Sequence, residues 1–136
     1  MTARERLVID TSALVSRLLL PASLPARAVR KAVAEGQLLV SDATLLELAD
    51  VLARARFDPY VTLAERQQFL RLLGRIAERI PIVHSIRACR DPKDDKFLEL
   101  AVNGEARLII TGDADLLVLH PFRGVDILTP ARYLVR

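Results

Sequence analysis

Short apolar runs alternate along the chain with longer stretches whose apolar positions recur at helical spacing. Leu7-Val8-Ile9 predicts a buried strand stopping at Asp10, and Thr11 to Leu20 predicts a helix halted by Pro21. A second helix is expected from about Pro25 to Glu35, with Pro25 in the first turn and Gly36 as its stop. Leu38-Leu39-Val40 reads as the second strand. Ser41 or Asp42 then caps a helix reaching about Arg54, and Asp58-Pro59 ends that segment. Between Thr62 and Ile80 the positions Phe69, Leu72, Leu73, Ile76 and Ile80 share one helical face, and Ile82-Val83 suits a short edge strand. Asp91-Pro92 opens a further helix to about Asn103, closed by Gly104. Leu108-Ile109-Ile110 is a strand running into Thr111-Gly112-Asp113 and a short helix, and Val125 to Leu128 is a last strand stopped by Pro130.

Strands that alternate with helices imply an α/β fold, a central parallel sheet of four to five strands with right-handed crossovers placing helices on both faces. The 136 residues give room for one domain, 1–136, with no repeat or linker, and a chain near this length buries roughly two-thirds of its unfolded surface. With 51% hydrophobic but only 4% aromatic residues, the core must rest on Leu, Val, Ile and Ala. The formal charge of +3 is mild, but the basic residues are 17 Arg against 3 Lys. Arginine contacts phosphate bidentately, which suits an anionic substrate, though a genomic preference for Arg codons gives the same count. The lone Cys89 excludes an internal disulfide and a cysteine zinc site. No apolar run approaches the length of about 18 residues that crosses a bilayer, and no signal-like opening is visible, so a soluble cytoplasmic protein without membrane association is expected.

The candidate chemistry is acidic. Asp10 and Asp113 each follow a buried strand directly, Glu47 lies in the second turn of the helix after strand two, and Asp95 lies in the first turn of the helix opened by Asp91-Pro92. The crevice beyond the carboxyl ends of the strands is where ligands collect in open α/β sheets. Magnesium takes oxygen ligands and bridges to phosphate, and such an ion lowers the pKa of water and stabilises a leaving oxygen. Without a cation, two carboxylates about 4 Å apart repel by roughly 4 kcal/mol at an effective dielectric near 20. Each acid also has a plain structural explanation. Asp10, Asp91 and Asp113 can cap helices, Asp94 and Asp95 can complement a helix dipole, and Glu47 can share a solvated stripe with Asp50 and Arg54. Those explanations do not account for the ordered recurrence of acids at strand ends.

Read in order, the segments resemble the PIN-domain family, in particular its bacterial toxin-like branch. Leu7-Val8-Ile9-Asp10-Thr11 resembles the family's first motif, with Ser12 where Asn is usual. Ser41 to Leu48 resembles the second, with Arg54 to Phe57 matching the basic and Phe positions after it. Asp91-Pro92-Lys93-Asp94-Asp95-Lys96-Phe97-Leu98-Glu99-Leu100-Ala101 resembles the third, Thr111 to Leu117 the fourth, and Ile127 to Pro130 the closing strand. The resemblance implies a three-layer α/β/α PIN-like fold and an endoribonuclease dependent on Mg²⁺ or Mn²⁺. It further implies the toxin of a toxin–antitoxin pair, with an RNA substrate, a small antitoxin protein as partner and a homodimeric state. Carried over, the metal ligands and catalytic acids are Asp10, Glu47, Asp95 and Asp113. Thr11, Ser12, Thr111, Asp91 and Asp115 are expected to support them, with Arg17 and Arg54 contacting substrate. Asp94 is expected to turn outward as a cap.

Two rival readings stand beside this one: a catalytically silent PIN domain that binds RNA or protein, and a phosphoacceptor domain using Asp10 or Asp113. The second wants a lysine at its acidic pocket, and Lys93 and Lys96 lie inside the acidic motif itself. Arg71, Arg75 and Arg79 form an i, i+4, i+8 row expected on a solvated helix face. His84 and His120 have no ligand partner at metal spacing, and Cys89 has no His or second Cys nearby.

Overall fold

The computed structural model describes residues 4–136. Five parallel strands, β1 (Glu5–Ile9), β2 (Gly36–Val40), β3 (Glu78–Arg79), β4 (Leu108–Ile110) and β5 (Asp126–Leu128), form one sheet in the order β3-β2-β1-β4-β5. Helices α1 (Thr11–Leu19) and α2 (Leu24–Glu35) connect β1 to β2, and α3 (Asp42–Leu52) and α4 (Leu63–Ile76) connect β2 to β3. Helix α5 (Asp95–Asn103) carries the chain back to β4, α6 (Ala114–Leu117) joins β4 to β5, and α7 (Pro130–Leu134) follows. This is the three-layer α/β/α arrangement with a parallel sheet that the pattern implied.

The inner parts of β1, β2 and β4 are apolar because both faces are covered. Leu7, Ile9, Leu38, Leu108 and Ile110 face a core closed by α1, α2, α3 and α7. Val8, Leu39 and Ile109 point the other way, onto Phe97, Leu98 and Ala101 of α5 and Leu116 of α6. The register Leu7↔Leu38 on one side and Ile9↔Ile110 on the other makes β1 the central strand. Beyond the strand ends the ladder continues, with Asp10 N donating to Ile110 O at 3.1 Å and Thr111 N to Leu128 O at 2.9 Å. The positions where acids emerge are thus rigidly held.

Several boundaries differ from expectation. The helix read as Thr62 to Ile80 ends at Ile76, and the edge strand is Glu78–Arg79 rather than Ile82-Val83. Gly36 does end α2, but it also begins β2. There is no loop between them, and a Cβ there would meet Leu7 Cδ2 at 2.7 Å and Glu5 O at 2.8 Å. The helix opened by Asp91-Pro92 begins as a 3-10 turn, Pro92–Asp94, before α5. Pro130 stops β5 but starts α7, capped by Thr129. Among the described residues no helix is long and apolar enough to cross a membrane.

Candidate active site

Strands β1 and β4 are neighbours, yet the chain leaves β1 toward β2 on one side and returns to β4 on the other. Their carboxyl ends therefore flank a crevice, the place where open α/β sheets bind ligands. A cleft of about 740 Å³ opens there, lined by Asp10, Thr11 and Ser12 at the start of α1, Glu47 on α3, and Arg54, Arg56 and Phe57 after it. Asp94 before α5 and Gly112-Asp113 after β4 complete the wall.

Asp10 is buried and caps α1. Its Oδ1 accepts from Ala13 N at 2.8 Å and its Oδ2 accepts from Thr111 Oγ1 at 2.6 Å and Gly112 N at 3.4 Å. Burial pushes its carboxyl above the ordinary range, against those donors, and Asp113 adds to the push. Thr111, fully buried, accepts in turn from Asp113 N at 3.0 Å, so one hydroxyl ties the ends of both strands together. Glu47 is half-buried between two donors: the Thr11 hydroxyl at Oε2 and Lys96 Nζ at 2.7 Å from Oε1.

Asp94 faces Asp113. Burial, and then the hydrogen-bonded carboxyl of Asp113 with the charges of Asp113, Asp91 and Glu47, push it up to about 7. One carboxylate oxygen each from Asp94, Asp113 and Asp115 lie within 4.8 Å of one another. Among the described residues no protein donor reaches the Asp94 carboxylate. Three hard oxygen donors that converge, with one acid short of a partner, fit a divalent cation of the Mg²⁺ or Mn²⁺ kind. Asp115 also meets Arg90 at 3.0 Å, and Asp113 caps α6 by accepting from Asp115 N at 2.9 Å.

The acids are therefore not gathered quite as the motifs suggested. Asp10, Glu47 and Asp113 share the cleft, with Thr11, Ser12, Thr111 and Asp115 around them. Asp95 does not. It is buried on the far side of α5's first turn, its Oδ1 accepting from Cys89 N at 2.8 Å and Ala88 N at 3.0 Å. Burial opposes its charge, but those amides outweigh burial and hold the carboxyl below the ordinary range. The acid at the cleft is Asp94, read beforehand as an outward cap. The motif resemblance placed the ligand at Asp95; here Asp94 ends the 3-10 turn Pro92–Asp94, and that turn sets which of the two neighbours reaches the cleft.

Asp91 lies outside the lining and caps the 3-10 turn through Lys93 N at 3.0 Å. Arg54 lines the cleft, whereas Arg17 lines a separate groove between α1, α2 and α4. The Arg71-Arg75-Arg79 row is broken, because Arg79 lies in β3 and pairs with Asp42 at 2.6 Å. His120 Nδ1 accepts from Ile127 N at 2.8 Å, a structural role. Burial, and then Asp95, push the Cys89 thiol up to about 12, so it is no nucleophile at neutral pH.

Two residues that bear on the site were not legible beforehand. Lys96 reaches Glu47 across the α3–α5 packing, and no local pattern signals that. Arg66 is buried and donates to Leu52 O at 2.9 Å, Val61 O at 2.9 Å and Asp58 Oδ1 at 2.7 Å, pinning the segment that presents Arg54, Arg56 and Phe57. A first-turn arginine among Glu65, Gln67 and Gln68 reads as solvated.

Comparison with known proteins bears on the family and the fold. A family model described as PIN domain matches residues 6–115. The uncharacterised protein MJ1680 of Methanocaldococcus jannaschii is 28% identical over 120 residues, 85% of this chain and 75% of that protein. Among solved structures, VapBC2 from Rickettsia felis, bound to a DNA fragment from its promoter, matches with a TM-score of 0.62 at 11% identity, over 91% of this chain and 98% of that one. PAE2754 from Pyrobaculum aerophilum matches with a TM-score of 0.61 at 17% identity, over 97% of this chain and 91% of that one. At such identities these two structures speak for the fold.

Proposed function

The chain belongs to the PIN-domain family, and on that premise we propose that it is a metal-dependent endoribonuclease acting as the toxin of a toxin–antitoxin pair. The observation that carries this reading is the Asp94–Asp113–Asp115 cluster at the ends of the central strands, where three carboxylate oxygens converge and Asp94 has no protein donor. Asp94 and Asp113, with Asp115 beside them and Asp10 behind, would hold the Mg²⁺ or Mn²⁺. An ion bound there supplies Lewis acidity toward a phosphodiester and lowers the pKa of water.

The chain's own residues do the rest. The Thr111 hydroxyl and the Ala13 and Gly112 amides fix Asp10, so the acid wall is preorganised and costs no reorientation during reaction. Arg54 and Arg56 stand exposed on the cleft wall, where they can meet backbone phosphates of a bound strand, and Phe57 offers a face on which a base can stack. Ser12 is exposed at the lining, with a hydroxyl free for hydrogen bonding to substrate or water. The partner half of the proposal is supported by the motif resemblance and by the fold shared with a structure solved as VapBC2. A homodimer in the cytoplasm goes with that half.

The test is cleavage of a mixed RNA pool by the purified chain. Cutting is expected with millimolar Mn²⁺ or Mg²⁺ and is expected to vanish with EDTA and in Asp94→Asn. Cleavage that persists in EDTA, or that Asp94→Asn retains at the wild-type rate, overturns the reading.

A further inference from the structure

The acids of the cleft differ in what already neutralises them. Asp10 spends its oxygens on Thr111 and two amides. Asp115 meets Arg90, but that guanidinium is 87% exposed, and a pair so solvated contributes little. Glu47 is different. Lys96 Nζ lies 2.7 Å from Oε1, the side chains of the two are only 22% and 26% exposed, and the Thr11 hydroxyl takes Oε2. A pair this covered is screened far less than one in open water. Both oxygens of Glu47 are thus occupied by the chain itself, while Asp94 and Asp113 face each other without a cation.

We propose that Lys96 is the second positive charge of this site: one divalent ion binds at Asp94–Asp113, and the Lys96 ammonium, anchored on Glu47, takes the place a second ion would fill. The inference rests on the metal reading above and narrows it. Charge counting agrees. Asp10, Glu47, Asp94, Asp113 and Asp115 set against the Lys96 ammonium, the Arg90 guanidinium and one divalent ion leave a single negative charge, whereas a second ion beside the lysine would make the site positive. An ammonium has three N–H donors, of which Glu47 takes one. Among the described residues the others meet no protein acceptor, and Glu47 is accordingly a positioning residue for Lys96 rather than a metal ligand.

Calorimetric titration of the metal-free chain with Mn²⁺ tests this independently of cleavage. The wild-type chain is expected to bind one ion, and Glu47→Gln one ion with an affinity within about fivefold of wild type, the change a distant charge makes. Lys96→Met, which keeps the apolar stem, is expected either to bind two ions or to tighten the single site by more than about fivefold. Lys96→Arg keeps the charge and is expected to keep one ion. Melting of each variant before titration establishes that it is folded. Two ions in the wild-type chain, a loss beyond about tenfold in Glu47→Gln, or wild-type stoichiometry and affinity in folded Lys96→Met each overturn the proposal. Should Lys96→Met not fold, the Glu47→Gln and Lys96→Arg titrations decide it. No uptake by the wild-type chain removes the metal site itself, which is a separate failure.

Discussion

An acid stays charged inside a fold when donors of the chain or a borrowed cation meet it, and Asp94 and Asp95 show the two cases side by side. Asp95 has the amides of Ala88 and Cys89; Asp94 has only another acid. Asp95→Asn weakens two charge-assisted bonds to a loop and is expected to cost about 1–3 kcal/mol of stability while leaving Mn²⁺ uptake in place. Asp94→Asn is expected to abolish Mn²⁺ uptake and, at pH 8 without metal, to melt no lower than wild type, since a repelling charge is gone. Paired melting and calorimetry on both variants read this out, and the reverse pattern would return the ligand to Asp95. The motif made both residues visible as candidates. It could not show which faces the cleft, because the phase is set by a 3-10 turn that Asp91 caps, and the turn type depends on local packing rather than apolar spacing. Asp10 and Asp113 stood out as candidates because Asp10 directly follows β1 and Asp113 comes three residues after the end of β4, each strand marked by three apolar residues.

At the scale of elements, the junction of α2 and β2 turns on space. Gly36 has an ordinary extended backbone, but a methyl there collides with Glu5 O and Ala32 O as well as the Leu7 side chain, and backbone cannot yield as a side chain can. Gly36→Ala is expected to destabilise by about 1–3 kcal/mol through overpacking. Gly74, in the last turn of α4 with nothing within 4 Å of its Cβ direction, is the control; Gly74→Ala is expected to stabilise by up to about 0.5–1 kcal/mol. Equal urea midpoints for the two variants would contradict the close-packing account. Here too the sequence was partly readable. Strands β1, β2, β4 and β5 announce themselves as apolar runs between turn residues. Strand β3 does not, for Glu78 and Arg79 are exposed and charged on a sheet edge, where polar residues discourage pairing with another chain. Their apolar neighbours Ile82 and Val83, which looked more like a strand, remain outside the sheet.

Across the whole molecule, the acids bear on how stability depends on pH. The Asp94 carboxyl is raised from 3.8 to about 7, so between those values the folded chain holds a proton that the unfolded chain releases, and stability falls as pH rises through that window. Asp10, also raised by burial, acts in the same direction. Asp95, Glu5 and Glu78 are lowered, and what they contribute is present above their ordinary values and lost as pH falls. In EDTA the chain is therefore expected to melt lower at pH 8 than at pH 5, with the gap narrowed by Mn²⁺ and by Asp94→Asn. A gap unchanged in that variant would remove Asp94 as its source. The strand order also has a consequence for synthesis. Translation lays down Asp10 and Glu47 first and completes β2 against one side of β1, but Asp94, Asp113 and Asp115, and the β4 strand that covers the other side of β1, come after them in the chain. A polypeptide that stops before Asp94, on the ribosome or released, carries two of the cleft's acids and no converging oxygens, so the chemistry of this cleft is withheld until β4 and the residues after it are made.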